Sequence, residues 1–134
     1  MKEKVKGINH IGIAVESIDK VKDFYENVLG LRFEGIEEIE EQKIRAGIFY
    51  VGDIRIELLE PTSEDSPVAK FLDKKGPGIH HIAFSVERIE EKLDFFSKKD
   101  ILLIDKTPRK GIHGTRIAFI HPKSTGGTLV EICE

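Results

Sequence analysis

The stretch HIGIAVESIDKVKDFY, residues 10–25, returns 71 positions later as HIAFSVERIEEKLDFF, residues 81–96. Seven of the sixteen positions are identical, where chance would leave roughly one. A second correspondence lies 74 positions apart and sets GDIRIEL, from Gly52, over GGTLVEI, from Gly126. It places Glu57 on Glu131. The chain therefore reads as two copies of one module, each opening on a strand that carries a histidine and closing on a strand that carries a glutamate.

Within each copy the pattern is strand, helix, then three strands. Residues 8–15 alternate as a strand. Ser17 suits a helix N-cap, and Ile18, Val21, Phe24, Tyr25, Val28 and Leu29 follow with helical spacing up to Gly30, a natural stop. Residues 31–40, 43–51 and 54–60 predict strands, with Gly52-Asp53 as a hairpin turn. Residues 61–78 form a polar connector with a short helix predicted at 66–74, and GPG at 76–78 lacks the Lys-Ser/Thr of a phosphate loop and reads as a turn. In the second copy the expectations are a strand at 79–86, a helix at 88–99 and strands at 101–105, 115–121 and 127–133. The modules span about 8–60 and 79–133 of a single domain covering 1–134.

Side chains on a strand alternate between its faces. His10 shares a face with Gly12 and Ala14, while Ile11, Ile13 and Val15 take the other. His81 likewise lies with Ala83 and Ser85, opposite Ile82, Phe84 and Val86. The large apolar faces suit packing against the module helices, and the small residues beside each histidine suit a concave wall. Glu57 lies opposite Ile54, Ile56 and Leu58, and Glu131 opposite Thr128, Val130 and Ile132. An ionised carboxylate in mid-strand is costly to bury unless it is paired or binds a metal. Two imidazoles and two carboxylates suit one divalent ion such as Co, Mn, Ni or Zn. A structural role would be the ordinary expectation for one such histidine alone. Four ligand-type residues at repeat-related positions favour a metal site at His10, Glu57, His81 and Glu131.

The remaining histidines and the cysteine carry less. His80 has the opposite parity to His81 and reads as a supporting or surface residue. His121, before Pro122 at a strand end, reads as structural. His113 sits in the loop RKGIHGTR, where a surface role is the default and a reach toward substrate the alternative. Cys133, near the end, reads as a small buried side chain. As a single cysteine it excludes an intrachain disulfide and a Cys-based zinc site.

Hydrophobic residues make up 40% and charged residues 34% of the chain, the balance of a soluble globular protein. The formal charge of −3 argues against general nucleic-acid binding. No apolar run approaches the roughly 20 residues that span a bilayer. The charged start MKEKVKG is unlike a secretory signal, so a cytoplasmic location is expected.

With NHIGIAVES, the two-module repeat and the His, Glu, His, Glu set in view, the chain resembles the vicinal-oxygen-chelate superfamily, the glyoxalase/dioxygenase fold, over residues 8–133. Within it, GDIRIELLEPTSEDSPVAKFLDKKGPGIHHIAFSVE and HPKSTGGTLVEI are similar to the methylmalonyl-CoA epimerase family. The resemblance implies an α+β fold of paired βαβββ modules forming a cup-shaped mixed or antiparallel sheet, a divalent metal inside it, and a homodimer. Its metal ligands fall on His10, His81 and Glu131, with the fourth position, Glu or Gln in relatives, on Glu57. It implies interconversion of (2R)- and (2S)-methylmalonyl-CoA in propionate metabolism, by α-proton abstraction through a metal-stabilised enolate with Glu131 as acid/base. A glutamate that some members carry on the strand after EEQ falls on Ala46 here. The opposite-face proton donor is therefore open, with Glu41, His113 and a metal-bound water as candidates. An acyl-CoA thioester needs cations for its phosphates. Lys106, Arg109, Lys110 and Arg116 cluster around the GIHG loop with His113 as candidates, although a solvated loop is the ordinary reading of any one of them. A glyoxalase I-type lyase is the nearest alternative activity, disfavoured by HPKSTGG where such sequences tend to carry Asp-Pro-Asp-Gly. A ring-cleaving dioxygenase is less suited still, since its iron site has one carboxylate. A metal-free small-molecule-binding module of the same fold is the alternative of a different class.

Overall fold

The computed structural model describes residues 4–134; Met1, Lys2 and Glu3, which open the charged start, lie outside the described residues. Two units form by packing, His10–His80 and His81–Glu134 with the residues through Asn9.

In the first, β1 (Gly7–Ala14) shows period-two burial, with His10, Gly12 and Ala14 buried and Asn9, Ile11 and Ile13 partly so. The chain enters helix α1 (Ile18–Asp23), widens into a π turn at Phe24–Val28 and stops at Gly30, whose φ of 90° suits glycine. The antiparallel strands β2 (Arg32–Ile39), β3 (Ile44–Val51) and β4 (Ile54–Pro61) follow, and Gly52-Asp53 turns β3 into β4. Helix α2 (Pro67–Lys75) starts at Ser66, whose hydroxyl accepts the Val68 N–H at 3.2 Å. The second unit holds β5 (Gly78–Ser85), which begins in the first, then α3 (Ile89–Lys98), β6 (Arg109–Lys110), β7 (Arg116–Ile120) and β8 (Val130–Cys133). In the first unit the strands pair in the order β2-β3-β4-β1, with β1 parallel to β4, and in the second in the order β5-β8-β7-β6, with β5 parallel to β8.

Helices α1 and α3 each cover the large apolar face of their unit's strands, as the parity predicts. Val15, Ile18, Phe49 and Leu58 form one core with Ile13, Val21 and Ile56 packed on it. Val86, Ile89, Leu93, Ala118, Ile120 and Ile132 form the other, with Phe96 and Val130. Gly47 permits close packing of α1, since a Cβ there would lie 3.2 Å from the Ile18 side chain.

Two expected strands are shorter than the pattern suggests. Residues 101–105 lie along β7 but make only the isolated bridge Leu103–Ile120. The reason is Asp105, whose carboxylate accepts the Phe119 N–H at 2.9 Å and takes the place of a backbone acceptor. Residues 127–133 are strand only from Val130, because Gly126 and Gly127 both hold positive φ in the preceding turn. Helix α1 also lacks the expected Ser17 cap.

Its cap comes from across the fold. The Ile18 N–H donates to Glu60 Oε1 at 2.8 Å, and Arg45 Nη1 holds Glu60 Oε2 at 2.9 Å. The second unit repeats the device 71 and 74 positions later. There the Ile89 N–H donates to Glu134 Oε1 at 3.0 Å and the Arg88 N–H to Oε2 at 2.9 Å, while Arg116 Nη2 holds Glu134 Oε1 at 2.8 Å. Those backbone donors, with Arg116, hold the Glu134 carboxyl below its ordinary value. A lowered folded-state value means stabilisation present in full above the unfolded value and lost as pH falls through the folded one. Glu134→Gln should therefore lower stability at pH 7 by about 1 kcal/mol, the usual worth of a cap. In urea titrations its deficit should shrink below about pH 4; a deficit independent of pH would contradict the charged cap.

Candidate metal centre

Both glutamates of the repeat sit in one register. On parallel strands Gly12 is the partner of Glu57, and Ala83 is the partner of Glu131. Each histidine lies two residues before that small partner, on the same face. Gly12 and Ala83 leave the room through which a carboxylate reaches back along the strand to its histidine. Accordingly His10 Nε2 lies 3.4 Å from Glu57 Oε1, and His81 Nε2 lies 3.1 Å from Glu131 Oε1. All four residues are at most 5% exposed.

Burial of this kind singles them out. They are four of the five buried polar or charged residues among those described, the fifth being Ser66. Two buried imidazoles and two buried carboxylates have the chemistry of a divalent-cation site. The second oxygen of Glu57 is engaged by Arg55, whose Nε donates to Oε2 at 3.1 Å. The sequence reading missed Arg55, although parity along β4 puts it on the Glu57 face.

The second pair has an aromatic and cationic surround. The Phe119 ring meets His81 edge-on at 5.4 Å between centroids, and the Arg109 guanidinium lies 5.6 Å from the Phe119 centroid. Arg109 Nε is 3.0 Å from Asp105 Oδ1. The cations proposed for phosphate binding thus divide. Arg109 is braced by Asp105, and Arg116 is engaged by Glu90 and Glu134, whereas Lys106 and Lys110 are exposed. His113 is exposed on a one-turn segment and holds a left-handed φ of 59°. Ala46 is fully buried on β3, and Glu41 lies exposed on the turn Glu40–Gln42. His80 faces away from His81, edge-on to Phe71 at 5.1 Å, and helps line an open groove of about 400 Å³ along α2. His121 Nδ1 accepts the Lys123 N–H at 3.0 Å and serves a turn. Cys133 is buried.

Residues 9–119 match the glyoxalase/bleomycin resistance protein/dioxygenase superfamily. The chain belongs to this superfamily. Among relatives, it is 36% identical to the mitochondrial methylmalonyl-CoA epimerase of Homo sapiens, over 93% of this chain and 72% of that one. The crystal structure of methylmalonyl-CoA epimerase from Mycobacterium tuberculosis superposes with a TM-score of 0.94 at 36% identity, covering 100% of this chain and 91% of the other. A methylmalonyl-CoA epimerase in complex with methylmalonyl-CoA and NH4+ gives 0.93 at 36% identity, over 97% and 94%. No helix among the described residues of this superfamily member is long and apolar enough to cross a membrane.

Asp105 supports both a strand amide and Arg109, so its loss leaves a half-buried cation without this partner. Asp105→Asn should cost about 1 kcal/mol, the scale of a partly screened ion pair. A change in urea midpoint corresponding to less than about 0.5 kcal/mol would show that Arg109 is placed by something else.

Proposed function

We propose that the chain is a metal-dependent epimerase that interconverts (2R)- and (2S)-methylmalonyl-CoA. The observation that carries the reading is the duplicated His–Glu pair, buried in the same register of two parallel strand pairs. Its support is the similarity to epimerases over nearly the whole chain.

His10, His81 and Glu131 would hold the cation, with Glu57 at the fourth position; Co, Mn, Ni and Zn would all suit this donor set. When bound, the cation supplies Lewis acidity toward the thioester oxygen and the neighbouring carboxylate. Glu131 exchanges the α-proton on one face of the substrate. The histidines fix the site's geometry from strands, which hold side chains more rigidly than loops. Phe119 packs edge-on against the His81 ring. Return of the proton on the other face needs a second donor, for which Glu41 and His113 are the protein's candidates. Around the same loop Lys106, Lys110 and His113, with Arg109, contact the acyl-CoA phosphates, while Arg116 is held by Glu90 and Glu134. The enzyme acts as a homodimer in propionate metabolism, an assignment supported by the family resemblance.

The decisive measurement is α-proton exchange. Metal-loaded protein and methylmalonyl-CoA are incubated in heavy water, with a chelated control, and deuterium at the α-carbon is followed by mass spectrometry. Rapid, chelator-sensitive exchange is the expected result, with His81→Ala losing metal retention and exchange together. Exchange by metal-free His81→Ala protein would exclude the mechanism. No exchange by protein carrying one metal per chain would favour a glyoxalase-type hemithioacetal substrate instead.

A further inference from the structure

Arg55 is the feature of the site that neither the repeat nor the epimerase reading requires. Its repeat partner 74 positions on is Leu129, so the guanidinium is present in one half only. The side chain is 12% exposed, and Nε donates to Glu57 Oε2 at 3.1 Å. Oε1 of the same carboxylate faces His10 Nε2 at 3.4 Å. In the parallel ladder Arg55 is also the backbone partner of His10. A buried carboxylate held by a largely covered guanidinium forms a unit of no net charge, and the low exposure of both limits their screening by water.

We propose that Arg55 is a positioning residue that makes Glu57 a neutral unit at the fourth donor position and thereby sets the charge of the metal centre. The inference rests on the proposed function. A divalent cation facing Glu131 and a free Glu57 would have its charge fully cancelled, leaving nothing to attract an anionic substrate. With Arg55 in place, one positive charge remains, matched to a substrate carboxylate. Arg55 also fixes one oxygen of Glu57, so the other keeps its direction toward His10.

This charge-setting role differs in sign from simple structural support. Support alone predicts that every substitution at the pair loosens the metal. Charge compensation predicts that removing the cationic member tightens it, while removing the anionic member loosens it. The two effects should then cancel when combined.

The test is calorimetric titration of Co2+ into metal-free protein. Relative to the unsubstituted chain, Arg55→Met should bind Co2+ about 10-fold more tightly and Glu57→Gln about 10-fold more weakly. The double variant should return to within about 3-fold of the starting affinity. Arg55→Lys keeps the charge and should stay within about 3-fold as well, which guards against misreading an Arg55→Met protein that fails to fold. Malonate, a dicarboxylate probe, should bind cobalt-loaded Arg55→Met about 10-fold more weakly than cobalt-loaded unsubstituted protein. Weaker Co2+ binding by folded Arg55→Met, no recovery in the double variant, or unchanged malonate affinity would each overturn the role of Arg55. Failure of the unsubstituted chain to take up Co2+ is a separate result; it would overturn the metal-dependent function itself, and this inference with it.

Discussion

The structure depends on a carboxylate placed where a strand ends and a helix begins. At the start of its unit's helix Glu60 accepts the Ile18 N–H and Glu134 the Arg88 and Ile89 N–H groups, and each is clasped by an arginine from the neighbouring strand. Helix N-termini leave N–H groups without partners, and a negative charge there satisfies them and the helix dipole together. The same contact locks the helix to the strand that carries Glu57 or Glu131, three residues earlier. Further main-chain bonds beside each cap, from Val15 to Leu59 and from Val86 to Cys133, hold the opening strand in register with that last strand. Register decides which side chains face each other, so these contacts carry through to the His–Glu pairs.

Burying the four site residues is unfavourable on its own. Ion pairs removed from water recover their desolvation only with good geometry or a further charge. Here two histidines and two glutamates are buried on the faces with the smallest strand residues, while the bulky apolar faces form the helix-packed cores. Such a distribution does little for stability, and its chemical use is to keep donors dry and prealigned.

The two halves share a backbone frame and a His–Glu pair but differ in their surroundings. Phe119, Arg109 and Asp105 dress His81 and Glu131, whereas Arg55 engages Glu57. Duplication supplies the same frame twice, and an epimerase handling two faces of one carbon has use for near-identical halves. A substrate with chemically distinct ends still needs different neighbours on the two sides.

The order of strands and helices, the helix-facing apolar sides and the candidates His10, Glu57, His81 and Glu131 were legible in the sequence. A period of two or of 3.6 is a local property, and the repeat reports itself by direct comparison. Arg55 was within reach by strand parity, and Glu60 with Glu134 by carrying the second correspondence three residues further. Other features were beyond it. Asp105 replaces a strand pairing, and Arg109 and Arg116 are braced by acids from other segments. The caps likewise join residues more than 40 positions apart. A sequence states which groups a strand presents on each face. Which distant group meets them is set by register and packing, because hydrogen bonds and ion pairs depend on separations of a few ångströms that only the folded chain defines.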